Sequence, residues 1–504
     1  MIRRTSMRKI LAILIIGILS LGQLNAFADA PPVNDPTSTP AATEVPTITP
    51  DITAEPSSSI EPNATSSNAP QVTATPSPSV TTESTPTDTP TPTPTPLVIP
   101  DCFGAPHPDD WGLLATNIQA AHDAGFTGKG VKVAIIDSGI GPHDDVKVSG
   151  GYNFYNQNND LTDKYGHGTH VAGIVAGKKY GVAPDAEIYS LRVIHDDGSL
   201  DAMDGFNIAD AINWAVDHDI DIINLSLSIT PMNGVQRAIE RAEKEGVLVV
   251  AAAGNVYLTD ELGPLYPDYI MYPARLGNVV SVGAVDSNLN HFCMSQVGHA
   301  LKVVAPGVNI KNAISNTDKF TDGKAYTNMS GTSMAAPYVS GILALMKQAY
   351  PNLPPIRLRH MLYENAKDIG EPGFEFQFGH GLAQWKAPIS LTGDVNITEI
   401  RGSQYLLLMK DHVTPDYTRS WFGTPIVAEQ YLEKDGVPIV GQEVTLKIIK
   451  PNGKVMLAKT KTDLNGVAII GMTAQYEGSI EGKYKFQFVD SDEVFEQTYY
   501  KLKY

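Results

Sequence analysis

Residues 330–341 read Ser-Gly-Thr-Ser-Met-Ala-Ala-Pro-Tyr-Val-Ser-Gly. Beyond Pro337 an apolar run follows, Val339, Ile342, Leu343, Leu345 and Met346, at helical spacing. The stretch reads as a glycine turn feeding a core helix, with Ser333 at its mouth. Ala335 and Ala336 would let another backbone approach. Unpaired N–H groups at a helix N-terminus favour negative charge, which suits an oxygen that turns anionic during acyl transfer. Pro337 is expected in the first turn, where its missing N–H costs no bond. Taken alone, the same residues equally well describe a turn that merely caps a helix.

Upstream of this helix, apolar runs alternate with amphipathic patterns. Strands are expected at Val131–Ile136, Ile188–Val193, Ile220–Leu227, Val247–Ala252 and Val279–Val282. Helices are expected at His167–Ala176, Asp204–Asp217 and Gly234–Glu245, and after the serine helix at Pro354–Ala366. Strands apolar on both faces, alternating with helices, specify an α/β domain: a parallel β-sheet flanked by helices. In such sheets functional residues gather beyond the carboxyl ends of the strands.

The rest of the 504-residue chain sets bounds on organisation. Arg3, Arg4, Arg8 and Lys9 precede an apolar run, Ile10–Leu21, and Ala26-Phe27-Ala28 fits a small-x-small cleavage site. Residues 1–28 are therefore expected to be a secretory signal, too short for a comfortable membrane span. No later stretch would span a bilayer, so an extracellular mature chain is expected. Residues 29–100 are rich in Thr, Pro and Ser with no Lys, Arg or aromatic residue. They are expected to form a disordered, extended spacer, because they cannot bury enough apolar surface to offset ordering entropy. A net charge of −18 excludes a nucleic-acid partner. Two cysteines, Cys102 and Cys293, rule out a disulfide-built scaffold, and their pairing stays open.

Two polar features stand at strand ends or helix starts. The strand Val131–Ile136 runs straight into Asp137-Ser138-Gly139, and a buried acid there requires a partner. The segment Gly166-His-Gly-Thr-His-Val-Ala-Gly173 opens a helix, with glycines allowing close approach around His170. As a metal pair the histidines fail, being three apart with no Glu between them. Joined to Ser333, these residues make a nucleophilic constellation. A serine hydroxyl needs an imidazole to take its proton, and the imidazole needs a carboxylate to fix its tautomer. We assign Asp137 as orienting carboxylate, His170 as general base and Ser333 as nucleophile. An α/β-hydrolase order using His360 or His380 would leave Asp137 and His170 unexplained.

Asp137-Ser-Gly139, His167-Gly-Thr-His-Val-Ala-Gly173 and Gly331-Thr-Ser-Met-Ala-Ala-Pro337, in that order, resemble the subtilisin-like serine proteases. The resemblance runs from about Trp111 to Pro388. It implies a serine endopeptidase with a subtilisin-like fold, acting on protein or peptide substrates with no cofactor for the chemistry. It further implies that Asn255, in Ala251-Ala-Ala-Gly-Asn255, donates to the oxyanion together with a backbone N–H at Ser333. Substrate backbone is expected along Leu225, Ser226, Leu227 and Ser228 and along Ala252, Ala253 and Gly254. The family commonly has Gly where Ser228 stands, so a narrowed specificity pocket is expected, with Tyr257, Leu258, Leu265, Tyr266 and Tyr269 near its rim. Asp145 matches a calcium ligand of the family, but the loop that completes the tight site is missing between Ala176 and Pro184. Structural calcium is therefore expected at weaker sites if anywhere. No folded prodomain fits within the proline-rich 29–100, so folding without one is expected.

Residues 101–390 are taken as the peptidase domain and 391–425 as a linker. Residues 426–504 are taken as a small β-sandwich resembling bacterial immunoglobulin-like modules, whose role is open between anchoring, substrate capture and stabilisation of the neighbouring domain, with a cell-surface or extracellular partner as one expectation. Its strands are expected at Val444–Ile449, Lys454–Thr460, Gly466–Thr473 and Tyr484–Val489, with turns at Pro451-Asn-Gly453 and Asp463–Gly466. The competing reading is a catalytically silent protease fold used for binding or display.

Overall fold

The structure, a computed structural model, describes residues 102, 107–201, 203–255, 270–315, 325–402, 419–421, 425–473, 482–491 and 494–500. The expected signal (1–28), the expected spacer (29–100) and Tyr257, Leu258, Leu265, Tyr266 and Tyr269 lie outside the described residues.

Seven strands form the central sheet: β1 (Lys132–Asp137), β2 (Val148–Asn153), β3 (Glu187–Arg192), β4 (Ile222–Leu225), β5 (Leu248–Ala252), β6 (Val279–Val285) and β7 (Val303–Pro306). Their order is β2-β3-β1-β4-β5-β6-β7, and every pairing is parallel. Successive side chains of a strand point to opposite faces. Val133 and Ile135 of β1 enter one core cluster, while Ala134 and Ile136 enter the other. Both faces are covered, which is why β1, β4, β5 and β6 read as largely apolar runs.

Helices α1 (Trp111–Ala115), α2 (Ile118–Asp123), α3 (His167–Ala176), α4 (Asp204–Asp217), α5 (Asn233–Lys244), α6 (Thr332–Ala349) and α7 (Pro355–Asn365) complete the domain. Residues of α3 and α6 fill one cluster and those of α4 and α5 the other. Every residue of α6 from Met334 to Met346 is buried. The chain runs from β1 outward to β2 and β3, then returns past β1 to β4. The sheet therefore changes winding direction beside β1, the point where α/β sheets open a crevice at their carboxyl edge. An antiparallel pair, β8 (Ile310–Ala313) and β9 (Tyr326–Met329), packs by α3. A disulfide joins Cys102 to Cys293, whose Cα atoms are 5.6 Å apart.

The C-terminal part is all-β: β10 (Asp394–Gly402), β11 (Arg419–Trp421), β12 (Pro425–Lys434), β13 (Val437–Pro438), β14 (Glu443–Ile449), β15 (Val455–Lys461), β16 (Val467–Thr473), β17 (Gly482–Phe488) and β18 (Phe495–Tyr500). One sheet holds β10, β12, β13 and β16; the other runs β11-β18-β17-β14-β15. Ala428, Ala468 and Ile470 of the first meet Val444, Leu446, Ile448, Phe486 and Phe488 of the second in one core. The expected linker 391–425 is corrected at its start: residues 394–402 form β10, which pairs along its whole length with β12. Among the described residues no helix is long and apolar enough to cross a membrane.

Candidate active site

Asp137 is the last residue of β1 and is fully buried. Its Oδ1 accepts the Ser138 N–H at 2.7 Å. The imidazole beside it belongs to His167, whose Nδ1 lies 2.8 Å from Oδ1 and 3.0 Å from Oδ2. His167 is the first residue of α3, so its ring sits at the helix mouth and stays partly exposed. Burial alone would push its pKa down. The adjoining Asp137 carboxylate, with Asp163 beyond it, outweighs that penalty and raises the pKa above 6.5.

The assignment of His170 as the ring held by Asp137 is therefore corrected. His170 lies three residues further along α3, about 4.5 Å deeper along the axis at 1.5 Å per residue. It is wholly buried. Its Nε2 faces the carbonyls of Ile310 (3.0 Å) and Thr327 (3.2 Å), and so donates to β8 and β9. Burial, with the nearby His167 adding to it, drives its pKa down to about 3, so it is neutral at any ordinary pH. With its Nε2 proton committed to carbonyl oxygens, it ties α3 to the β8–β9 pair.

The reading of the sequence passed over Asp163. This buried carboxylate accepts the N–H groups of Gly166 (2.7 Å), Tyr165 (3.1 Å) and Thr169 (2.9 Å), the Thr169 hydroxyl (2.6 Å) and the Ser138 hydroxyl (2.9 Å). It satisfies the unpaired donors at the start of α3 and complements the helix dipole. Ser138 Oγ in turn accepts Gly168 N–H at 2.9 Å, which holds the helix mouth against the end of β1. The signal available was an acid three residues before the glycine that opens the helix.

Ser333 is the second residue of α6. Its Oγ donates to the Ser226 carbonyl at 3.1 Å, and Ser226 Oγ donates back to the Ser333 carbonyl at 2.8 Å. The second bond follows from covalent chemistry. Pro337 lies inside α6, not in its first turn as expected. The carbonyl four residues before a proline receives no helical N–H. For Pro337 that carbonyl is Ser333's, and the Ser226 hydroxyl supplies the missing donor. Asn224 Nδ2 donates to Ser226 Oγ (3.0 Å), and Ser340 Oγ donates to Asn224 Oδ1 (2.9 Å).

Asn255 follows the end of β5. Its Oδ1 accepts Thr332 N–H at 3.0 Å and the Thr332 hydroxyl at 3.3 Å, which leaves Nδ2 to donate elsewhere. A Cβ built on Gly331 would lie 3.4 Å from Asn255 Nδ2 and 3.7 Å from Ser333 N. Gly331, at φ +152°, thus leaves a small space beside two N–H donors, with Asn255 Oδ1, itself engaged by Thr332, 3.6 Å away. That arrangement can hold one anionic oxygen.

Of the remaining expected residues, Leu225, Leu227, Ala252 and Ala253 are buried core, Ser226 is buried and tied to α6, and Ser228 is partly exposed. The backbone N–H of Gly254 is held by Thr332 Oγ1 at 3.2 Å. Asp145 is buried, with Oδ1 on Lys179 N–H (3.0 Å). Its neighbour Asp144 gives its carbonyl to the Lys178 ammonium (2.7 Å). One remaining carboxylate oxygen beside a cation does not fit the six to eight oxygens calcium requires. His360 faces Glu399 of β10, and His380 stacks on Tyr363, so neither serves an α/β-hydrolase order.

Residues 128–381 match the model of the subtilase family. Subtilisin BL of Lederbergia lenta is 38% identical over 283 residues, covering 55% of this chain and 97% of that protein. M-protease of Shouchella clausii (strain KSM-K16) is 38% identical over 283 residues, covering 55% of this chain and 69% of its own length. Minor extracellular protease Epr of Bacillus subtilis (strain 168) is 36% identical over 285 residues, covering 55% of this chain and 41% of that protein.

Proposed function

Because the chain belongs to the subtilase family and is a serine endopeptidase, we propose that its acyl-enzyme forms on Ser333, with His167 as general base and Asp137 as the carboxylate that orients it. The observation that carries this assignment is the paired contact of His167 Nδ1 with Asp137, at 2.8 and 3.0 Å. With the Nδ1 proton given to Asp137, Nε2 keeps its lone pair for the Ser333 proton. The Ser333 hydroxyl turns from the Ser226 carbonyl toward that nitrogen as substrate enters, since such bonds tighten in the substrate complex.

Attack on a peptide carbonyl makes a tetrahedral oxyanion. Asn255 Nδ2 and the Ser333 N–H stabilise it in the space beside Gly331. His167 then passes its proton to the leaving amine, and water repeats the sequence on the ester. Substrate backbone runs along Leu225–Ser228 as an added strand, and Ala252, Ala253 and Gly254 line the groove. The partly exposed Ser228 narrows the pocket for the residue before the scissile bond. The apolar run behind Arg3, Arg4, Arg8 and Lys9 directs the protein out of the cell. The C-terminal sandwich is immunoglobulin-like.

The test is the wild-type protein against unfolded casein, peptide amides and a fluorophosphonate probe, with Ser333→Ala alongside. Activity and labelling confined to the wild type support the mechanism. A wild type that neither cleaves nor labels would favour a silent fold, and a cleaving Ser333→Ala would remove Ser333 from the chemistry.

A further inference from the structure

We propose that the C-terminal sandwich is a fixed clamp on the endopeptidase domain, held through α7, and not a module hung on a linker. Helix α7 serves two cores. Leu358, Met361 and Leu362 pack into the cluster that also holds α6. Ile356, with no exposed surface, packs instead with Ile397, Tyr431 and Val467, all from the sandwich. Without the sandwich, Ile356 would face water.

The same helix carries two buried arginines, and a buried cation needs counter-charges. Arg359 is 1% exposed. Its Nη1 lies 2.6 Å from Glu243 of α5, and its Nη2 lies 2.7 Å from Glu399 of β10. Glu429 of β12, also buried, adds its field to the same guanidinium. His360 Nε2 meets the second oxygen of Glu399 at 3.1 Å. The three glutamates lie close enough together to hold an ion. The Arg359 guanidinium already bridges two of them, so the cluster is a lock between two parts of one chain and not a metal cage. Arg357, 8% exposed, stands 3.6 Å from Glu433 of β12. Within the endopeptidase domain Arg359 has only Glu243 of these three acids. Two come from the sandwich, so the counter-charge of Arg359 is complete only when both parts are folded together, whereas Arg357 also has Glu364 of α7 itself at 3.6 Å. Since α7 packs on α6, the clamp also reaches the helix whose mouth carries Ser333.

The test uses the full chain carrying Ser333→Ala to prevent self-digestion, followed by calorimetry and amide hydrogen exchange. The clamp predicts one cooperative transition. Glu399→Gln should lower its midpoint by about 4–6 °C and raise exchange in α6 and α7. Should Glu399→Gln fail to accumulate as folded protein, Ile356→Ala makes the same test with a smaller loss. In the double variant Arg359→Met/Glu399→Gln the two losses should be clearly less than additive. Two separate transitions, with the endopeptidase one and α6 exchange unmoved by Glu399→Gln or Ile356→Ala, would overturn the proposal.

Discussion

Replacing Ser226 by alanine tests the account of Pro337 directly. The substitution removes the hydroxyl that bonds the Ser333 carbonyl at 2.8 Å, and it strips Asn224 Nδ2 of its acceptor at 3.0 Å. Leaving a buried polar group unpaired costs about 1–3 kcal/mol. Ser333 is partly exposed, so its carbonyl belongs at the low end, about 1 kcal/mol, with about 1–2 kcal/mol for buried Asn224. The sum, about 2–3 kcal/mol, corresponds to a fall in Tm of roughly 2–4 °C for a cooperative unit of about 400 residues. Thermal unfolding in the Ser333→Ala background measures it without self-digestion. The decisive arm adds Pro337→Ala, which gives residue 337 an N–H able to reach the Ser333 carbonyl. In that background Ser226→Ala should cost about 1 kcal/mol less, because only Asn224 is then stranded. An identical cost in both backgrounds would refute the claim that Ser226 stands in for the proline's missing donor.

His167→Ala should reduce kcat by at least about 10⁴-fold and, below pH 6.5, also lower Tm, because the buried Asp137 carboxylate loses its side-chain partner. His170→Ala should retain activity but lose about 2–4 kcal/mol as the Ile310 and Thr327 carbonyls lose their donor, read by urea unfolding. The raised pKa of His167 places the acid limb of kcat/KM above pH 6.5, since the base must be neutral to act. Its effect on stability has the opposite sign. The His167–Asp137 pair contributes fully below pH 6.5 and is lost as pH rises through the raised value, which stability curves at several pH values will detect. Gly331→Ala puts a methyl 3.4 Å from Asn255 Nδ2 and 3.7 Å from Ser333 N. It should cut kcat by about 10²–10³-fold, a scale taken from loss of an oxyanion donor in subtilisin itself.

Strands β1, β3, β4, β5 and β6 were legible because they lie inside the sheet, whereas the edge strands β2 and β7 were not expected: β2, Val-Ser-Gly-Gly-Tyr-Asn, is mostly part-exposed and carries no apolar run, and β7 is only four residues long. The bounds of α3 and α4 coincide with the expected ones, since glycine and acidic residues punctuate them. The choice between His167 and His170 was not legible from spacing. Both stand on one helical turn, and only the helix start relative to the end of β1 decides which ring meets Asp137. Asp163 sits in a polar stretch, Asn158–Lys164, where one acid looks like the next. Strands β10 and β12 escaped because Glu399, Glu429 and Glu433 break the apolar alternation. Glu429 and Glu433 are nonetheless buried, and Glu399 nearly so, near the arginines of α7. A buried charge facing an opposite charge across a domain boundary reads, in one dimension, as surface.

The Cys102–Cys293 bridge closes a loop with a sequence separation of 191. An endopeptidase in solution meets other copies of itself. Any single peptide-bond scission between those two positions would yield fragments that remain covalently stitched, so a nicked molecule keeps both halves at hand for re-docking. Damage of that sort would stay invisible on an oxidising gel and become apparent only after thiol treatment.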